Sequence, residues 1–235
     1  MINTTNISQR TVVMELNKVI HGDCLDILKD MEDNSIDLVL TDPPYGIGEA
    51  NGKNKARDGY GLTKATDYGV DDWDDSRPSK KYFDELLRVS KKQIIFGGNY
   101  FADMLPPSSC WVVWDKDNGT TDFADCELAW TSFKTAVRIY KWRWNGMIQE
   151  PKHPKDTREH PTQKPTGLIK RILLDYSEEG QTILDPYLGS GTTAIACIKT
   201  NRNFIGIEKE QKYVDIANKR IQNELDQLKM QFNDT

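Results

Sequence analysis

Ile36-Asp37-Leu38-Val39-Leu40-Thr41-Asp42-Pro43-Pro44-Tyr45 is the stretch from which the fold can be read. The apolar run Ile36 to Leu40 does not alternate strictly, and it is bounded by the turn signals Asp33-Asn34-Ser35 and by two prolines. A run of this kind predicts a strand covered on both faces, which is the environment of a parallel sheet. In open α/β sheets ligands bind outside the carboxyl ends of the strands, so Asp42 to Tyr45 falls where a site is expected. Its chemistry is specific. A carboxylate accepts hydrogen bonds, two prolines fix the backbone and remove two donors, and an aromatic ring stands beside them. Asp42 and the Pro43 carbonyl could both accept from one amino group while Tyr45 stacks on the flat ring bearing it. The same four residues, taken alone, also read as a proline turn closing a strand. The rest of the chain separates the two readings.

Upstream, residues 1–11 read as a polar, flexible tail, and residues 12–235 as one domain. Lys18-Val19-Ile20 is a strand candidate. His21-Gly22-Asp23-Cys24 then turns into a helix with Leu25, Ile27, Leu28 and Met31 as its apolar positions. Asp23 is either the cap of that helix or an acceptor for a nucleoside amino group. Downstream, residues 46–80 are rich in Gly, Asn, Asp and Lys and read as a mobile loop that closes over the site. A helix from Tyr82 to Val89 and strands at Gln93–Phe96, Cys110–Trp114 and Glu127–Thr131 follow. Strands alternating with helices point to an α/β architecture.

A second constellation starts at His160-Pro161-Thr162-Gln163-Lys164-Pro165, which opens a helix through Leu168, Ile169, Ile172, Leu173 and Leu174. The strand Gln181–Leu184 leads into Asp185-Pro186-Tyr187-Leu188-Gly189-Ser190-Gly191-Thr192-Thr193 and a helix to Lys199. The strand Phe204–Ile207 then ends in Glu208. A glycine-bearing strand-to-helix turn lets the backbone approach a ligand, and an acid ending the next strand is placed to accept from ribose hydroxyls. The third glycine of the dinucleotide fingerprint is missing, which argues against a bound pyrophosphate; Asp185, the two glycines and Glu208 together point to a nucleoside-containing ligand, unless Glu208 only opens the charged surface run Glu208-Lys209-Glu210. The last helix, Tyr213 to Lys229, lines up Tyr213, Ile216, Ala217, Ile221, Leu225 and Leu228 on one face toward the sheet.

At 235 residues the chain can bury a core without disulfides, and Cys24, Cys110, Cys126 and Cys197 show no metal-binding spacing. We expect reduced cysteines, no metal and a cytoplasmic protein with no membrane span. The net charge of −5 hides a basic stretch: between Lys134 and Arg171 ten Lys and Arg face Glu150, Asp156 and Glu159, a net +7. Within it Lys141, Trp142, Arg143, Trp144, Lys152, Lys155 and Arg158 combine phosphate-neutralising and base-stacking groups. An edge strand with a solvated basic face reads equally from that composition.

Taken together, Gly22-Asp23-Cys24-Leu25, Thr41-Asp42-Pro43-Pro44-Tyr45-Gly46, His160 to Pro165, Leu184 to Thr193 and Gly206-Ile207-Glu208 resemble, in this order, amino-group DNA methyltransferases dependent on S-adenosylmethionine whose catalytic motif precedes the cofactor motif. Tyr187 stands where that family usually has Phe. The resemblance implies a Rossmann-like methyltransferase fold, an α/β seven-stranded, mostly parallel sheet with helices on both faces. It implies S-adenosylmethionine held by Asp23, Cys24, Asp42, Thr162, Lys164, Pro165, Asp185, Pro186, Tyr187, Gly189, Ser190, Gly191, Thr192 and Glu208. Catalysis would fall to Asp42, Pro43, Pro44 and Tyr45, acting on a base flipped out of double-stranded DNA. A short target-recognition region, 116–159, and a homodimer are also implied. Asp42 favours the adenine 6-amino group, since relatives acting on cytosine commonly carry Ser there. RNA, a protein amide and a non-catalytic binding module are the remaining readings.

Overall fold

The structure is a computed structural model that describes residues 14–47, 76–119, 124–145, 148–149 and 163–233. The expected tail and most of the expected closing loop, residues 48–75, lie outside the described residues, and the loop's last position, Lys80, opens a helix. The elements run β1 (Lys18–His21), α1 (Cys24–Lys29), β2 (Ile36–Thr41), α2 (Lys80–Val89), β3 (Ser90–Phe96), a 3-10 turn (Gly98–Tyr100), β4 (Trp111–Asp115) and β5 (Cys126–Thr131). They continue with β6 (Arg138–Lys141), β7 (Trp144–Asn145), β8 (Ile148–Gln149), α3 (Thr166–Tyr176), β9 (Thr182–Asp185), α4 (Thr192–Ile198), β10 (Asn203–Glu208) and α5 (Gln211–Asn233).

Among these residues the main sheet has eight strands in the order β1-β10-β9-β2-β3-β5-β4-β6. The first five are mutually parallel; β5 runs antiparallel to both β3 and β4, and β6 returns parallel to β4. The implied count of seven is therefore corrected to eight. The additional strand is β6, drawn from the basic stretch and pairing Val112 with Arg138 through Asp115 with Lys141. It forms the sheet's outer edge, with Ile139 70 % exposed, while β7 and β8 make a separate two-stranded ribbon.

The reason β2 is apolar at consecutive positions is visible in the packing. Leu38 and Leu40 join Ile94, Phe96, Ile183 and residues of α3, α4 and α5 on one face. Val39 joins Ile95, Leu184, Ile205, Ile207 and residues of α1 and α2 on the other. Successive side chains on a strand point to opposite faces, so a sheet covered twice buries both sets. Full burial of one such side chain is worth about 1.5–3 kcal/mol, and these two layers hold the strand ends in place.

Helix α5 is buried only through its first half. Tyr213, Val214, Ala217 and Ile221 are in the core, but Leu225 is 37 % and Met230 60 % exposed. The apolar face expected to continue to Leu228 outruns the sheet, because β1 and β10 end before the helix does.

Candidate active site

Parallel pairing sets the carboxyl ends of β1, β10, β9 and β2 side by side: His21 is opposite Glu208, Gly206 opposite Asp185, and Val39 opposite Leu184. The Asp42 and Asp185 motifs, 143 positions apart in sequence, thus end on neighbouring strands. A cavity of about 550 Å³ lies over these ends. Asp23, Cys24, Asp42, Pro44, Lys164, Asp185, Pro186, Tyr187, Gly189, Ser190, Thr192 and Glu208 all line it. Pro43, Tyr45, Pro165 and Gly191 do not. Pro165 is the cap residue of α3. Gly191 caps α4 at φ 89°, where a Cβ would come within 3.1 Å of Ala217 on α5. Thr162, Lys152, Lys155 and Arg158 lie outside the described residues.

The lining has the donors and acceptors of a nucleoside-type pocket. Glu208 accepts from the backbone N–H groups of Gly189 (2.8 Å) and Glu210 (2.8 Å), which clamps the glycine turn to the end of β10. Each carboxylate oxygen has a second lone pair for a ligand hydroxyl. Burial pushes Glu208 above the usual carboxylate range. Asp185 accepts from the Thr193 hydroxyl at 2.6 Å and from the Tyr187 N–H at 3.2 Å, and burial pushes it up to about 6. Asp23 caps α1 by accepting from the Leu25 N–H at 2.9 Å and still lines the cavity, so cap and acceptor are compatible roles. The Thr192 hydroxyl is buried against the cavity without a protein partner, and Gly189, at φ 54°, has open space where a Cβ would be. An orphaned hydroxyl and a bare backbone at the same wall fit a ligand that approaches closely.

Asp42 is held from two sides. The Tyr45 hydroxyl donates to Oδ1 at 2.6 Å, and Lys164 Nζ donates to Oδ2. Lys164 also pairs with Glu127 Oε2 at 3.1 Å, and Glu127 pairs through Oε1 with Lys116 at 2.6 Å. Lys164 was expected to close the cofactor pocket; it does line that cavity, but its charge is spent on the catalytic motif. Although burial works against its charge, Asp42 and Glu127 push Lys164 up to about 12. Burial and the charge of Asp42 keep Tyr45 well above the ordinary phenol value, hence a hydrogen-bond donor. Glu127 was missed from the sequence, where it reads only as the polar position of a strand. Gln163, accepting from Ser190 Oγ at 3.1 Å, and Arg77, which lines the cavity and pairs with Asp103 at 3.1 Å, were missed as well.

One face of the Tyr45 ring is already covered, by Tyr100 at 4.8 Å between centroids and 15° between planes. The close approach needs Gly97, whose Cβ would collide with the Tyr45 ring.

The basic stretch divides in two. Trp144 is 8 % exposed and belongs to the core, so its assignment to base stacking is corrected: it packs the edge of the sheet to the body. Trp142 is half-buried against the same core, over Gly167 of α3, and its carbonyl accepts from Trp114 Nε1 at 2.8 Å. Lys141 and Arg143 are on the surface but are paired with Asp117, at 2.9 and 2.7 Å. Lys134 and Arg138 are exposed.

A family described as DNA methylase matches residues 107–219. The type II methyltransferase M.HinfI of Haemophilus influenzae is 30 % identical over 251 residues, spanning 88 % of this chain and 68 % of that protein. This chain belongs to the DNA methylase family. Another member, the type II methyltransferase M.HpaI of Haemophilus parainfluenzae, is 28 % identical over 246 residues, 88 % of this chain and 74 % of that one. The crystal structure of an M1.HpyAVI–SAM complex is similar at a TM-score of 0.55 and 25 % identity, covering 87 % of this chain and 98 % of that one. PvuII DNA methyltransferase, cytosine-N4-specific, shares the fold at a TM-score of 0.56 and 15 % identity. The DNA methylase described here is thus an amino-group methyltransferase acting on DNA, with S-adenosylmethionine as its methyl donor. Among its described residues no helix is long and apolar enough to cross a membrane, and no cluster of His, Cys, Asp and Glu is arranged to hold a metal.

Proposed function

We propose that this DNA methylase transfers the methyl group to the 6-amino group of adenine in a specific double-stranded sequence, as the modification enzyme of a type II system. The observation that carries the reading is the placement of Asp42 on the same cavity as Asp185, Gly189 and Glu208, at the end of adjacent strands. Asp23, Asp185, Ser190, Thr192 and Glu208 would hold the nucleoside and amino-acid parts of S-adenosylmethionine. When bound, that cofactor supplies a methyl group on a sulfonium, which leaves as a neutral thioether.

The protein's own work is alignment. Asp42 and the Pro43 carbonyl orient the amino group, and Pro43 and Pro44 hold that acceptor pair rigid. An amino group inside a duplex is out of reach, so the base leaves the stack. Its ring would take the face of Tyr45 that the exposed Tyr100 covers in the free protein. Arg138 on the outer edge strand and Lys134 shortly before it are exposed cations that could meet phosphate, whereas Lys141 and Arg143 would first have to give up Asp117. Asp42 distinguishes adenine from cytosine only through the resemblance; the assay decides. Nucleoside analysis of DNA methylated by the purified enzyme should show N6-methyladenine, and methylcytosine alone refutes the assignment. Asp42→Ala should lose turnover in the same assay while keeping S-adenosylmethionine affinity by calorimetry.

A further inference from the structure

Lys164 is one cation between two carboxylates, and the second of them, Glu127, lies outside every motif that points to the reaction. The four side chains Asp42, Lys164, Glu127 and Lys116 form a continuous chain of ion pairs, none more than 22 % exposed. They come from four separate segments: the end of β2, the turn before α3, β5 and the residue after β4. Breaking a buried ion pair by removing one partner is costly, so such a chain persists only when each charge has its counter-charge.

A methylated amino nitrogen carries one proton too many. If that proton passes to Asp42, the carboxylate becomes neutral and Lys164 loses a counter-charge at the moment of reaction. With Asp42 as its only partner, Lys164 would hold that carboxylate ionised and oppose the transfer. With Glu127 beside it, Lys164 stays paired whichever state Asp42 is in. Lys116 in turn stops Glu127 from drawing Lys164 away altogether.

We infer that Glu127 and Lys116 are positioning residues for the methyl transfer: through Lys164 they set the charge and orientation of Asp42, so that it can align the amino group and then take its proton. The inference rests on the reading of Asp42 as the residue that meets the target amine. The balance of the step is simple. The nitrogen–carbon bond forms, the carbon–sulfur bond breaks with its electron pair left on sulfur, and the amine proton moves to an Asp42 oxygen. The groups that face Asp42 are Lys164, Glu127, the Tyr45 hydroxyl and Asp185. Burial raises Asp42 above the ordinary carboxylate range, Lys164 opposes this, and the negative charge of Glu127 adds to it. Glu127 itself, held by Lys164 and Lys116 against its burial, is kept below its ordinary value.

The test is the single-turnover rate constant against pH for the wild type, Glu127→Gln and Lys116→Met, with S-adenosylmethionine affinity measured by calorimetry on each. Activity is lost toward acid as Asp42 takes a proton before the reaction. Glu127→Gln removes a charge that raises Asp42, so the acid limb should move to lower pH. The plateau should fall on the order of tenfold or more, as expected when a proton acceptor is weakened. Lys116→Met frees Glu127 to pull Lys164 from Asp42, so its limb should move the opposite way, to higher pH. Cofactor affinity should hold in both. Unmoved limbs, limbs that move together, or a rate loss matched by an equal loss of affinity overturn the inference, and a poorly folded Glu127→Gln leaves Lys116→Met to decide it. Retained turnover in Asp42→Ala would instead remove the site reading beneath it.

Discussion

Gly97→Ala should damage catalysis far more than its size suggests. Gly97 is buried at φ 68°, directly beneath Tyr45. An alanine there meets two costs. The left-handed backbone costs an L-residue roughly 1–2 kcal/mol. The new Cβ would also lie 2.6 Å from Tyr45 Cδ1 and 2.7 Å from Cζ, and closer still to Cε1. If the ring stays, overpacking adds about 1–3 kcal/mol. If it swings away, it forfeits the bond to Asp42 and the stack on Tyr100, together about 2–4 kcal/mol. Both routes therefore predict a total loss of about 2–6 kcal/mol. Gly180 supplies the internal standard: it sits at φ 79°, exposed, with nothing within 4 Å of a Cβ, so Gly180→Ala carries the backbone cost alone. Urea denaturation of both variants should place Gly97→Ala below Gly180→Ala by at least about 1 kcal/mol. Displacing Tyr45 by an ångström should lower turnover on the order of a hundredfold, with the Gly180 variant unaffected. Equal stability losses, or wild-type turnover in Gly97→Ala, would refute the account of how Tyr45 is seated.

Two further outcomes follow from buried groups. The folded protein holds the Asp185 carboxyl at about 6 rather than 3.8, so between those values the native state binds a proton that the unfolded chain has lost. The contribution of Asp185 to stability without cofactor should therefore fall by about 3 kcal/mol as pH rises through that window, and in denaturation at pH 4 and 7.5 Asp185→Asn should remove that share of the pH dependence. Trp144→Ala should cost about 3–5 kcal/mol in the same assay through the cavity it leaves, while the salt dependence of DNA binding stays that of the wild type.

Much of the site was legible because its chemistry is local. Asp42-Pro43-Pro44-Tyr45 and Asp185 to Thr192 each combine a strand end, a turn and a reactive group within a few residues, and the structure brings Asp42 and Pro44 to the same cavity as Asp185, Gly189, Ser190 and Thr192. From its place before α1 Asp23 reads as either a cap or an acceptor, and it is a cap that also lines the cavity. The basic, aromatic stretch was less transparent. Trp144 and Ile139 are both apolar residues of a short strand, yet the first is core and the second 70 % exposed. Composition cannot tell them apart, because an amphipathic aromatic suits a core and a base-stacking surface equally.

The sequence by itself determined most of the strands, the order of the motifs, a nucleoside-containing ligand and the parallel character of the sheet's central strands, since apolar runs, turn residues and glycine spacing act over a few positions. Only the tertiary structure decided which charges meet. Lys164 reaches Asp42 across 122 residues, and Glu127 enters the site from an antiparallel strand that carries no motif. A buried ion must find its counter-charge wherever the crossovers place one, and no local pattern records that placement.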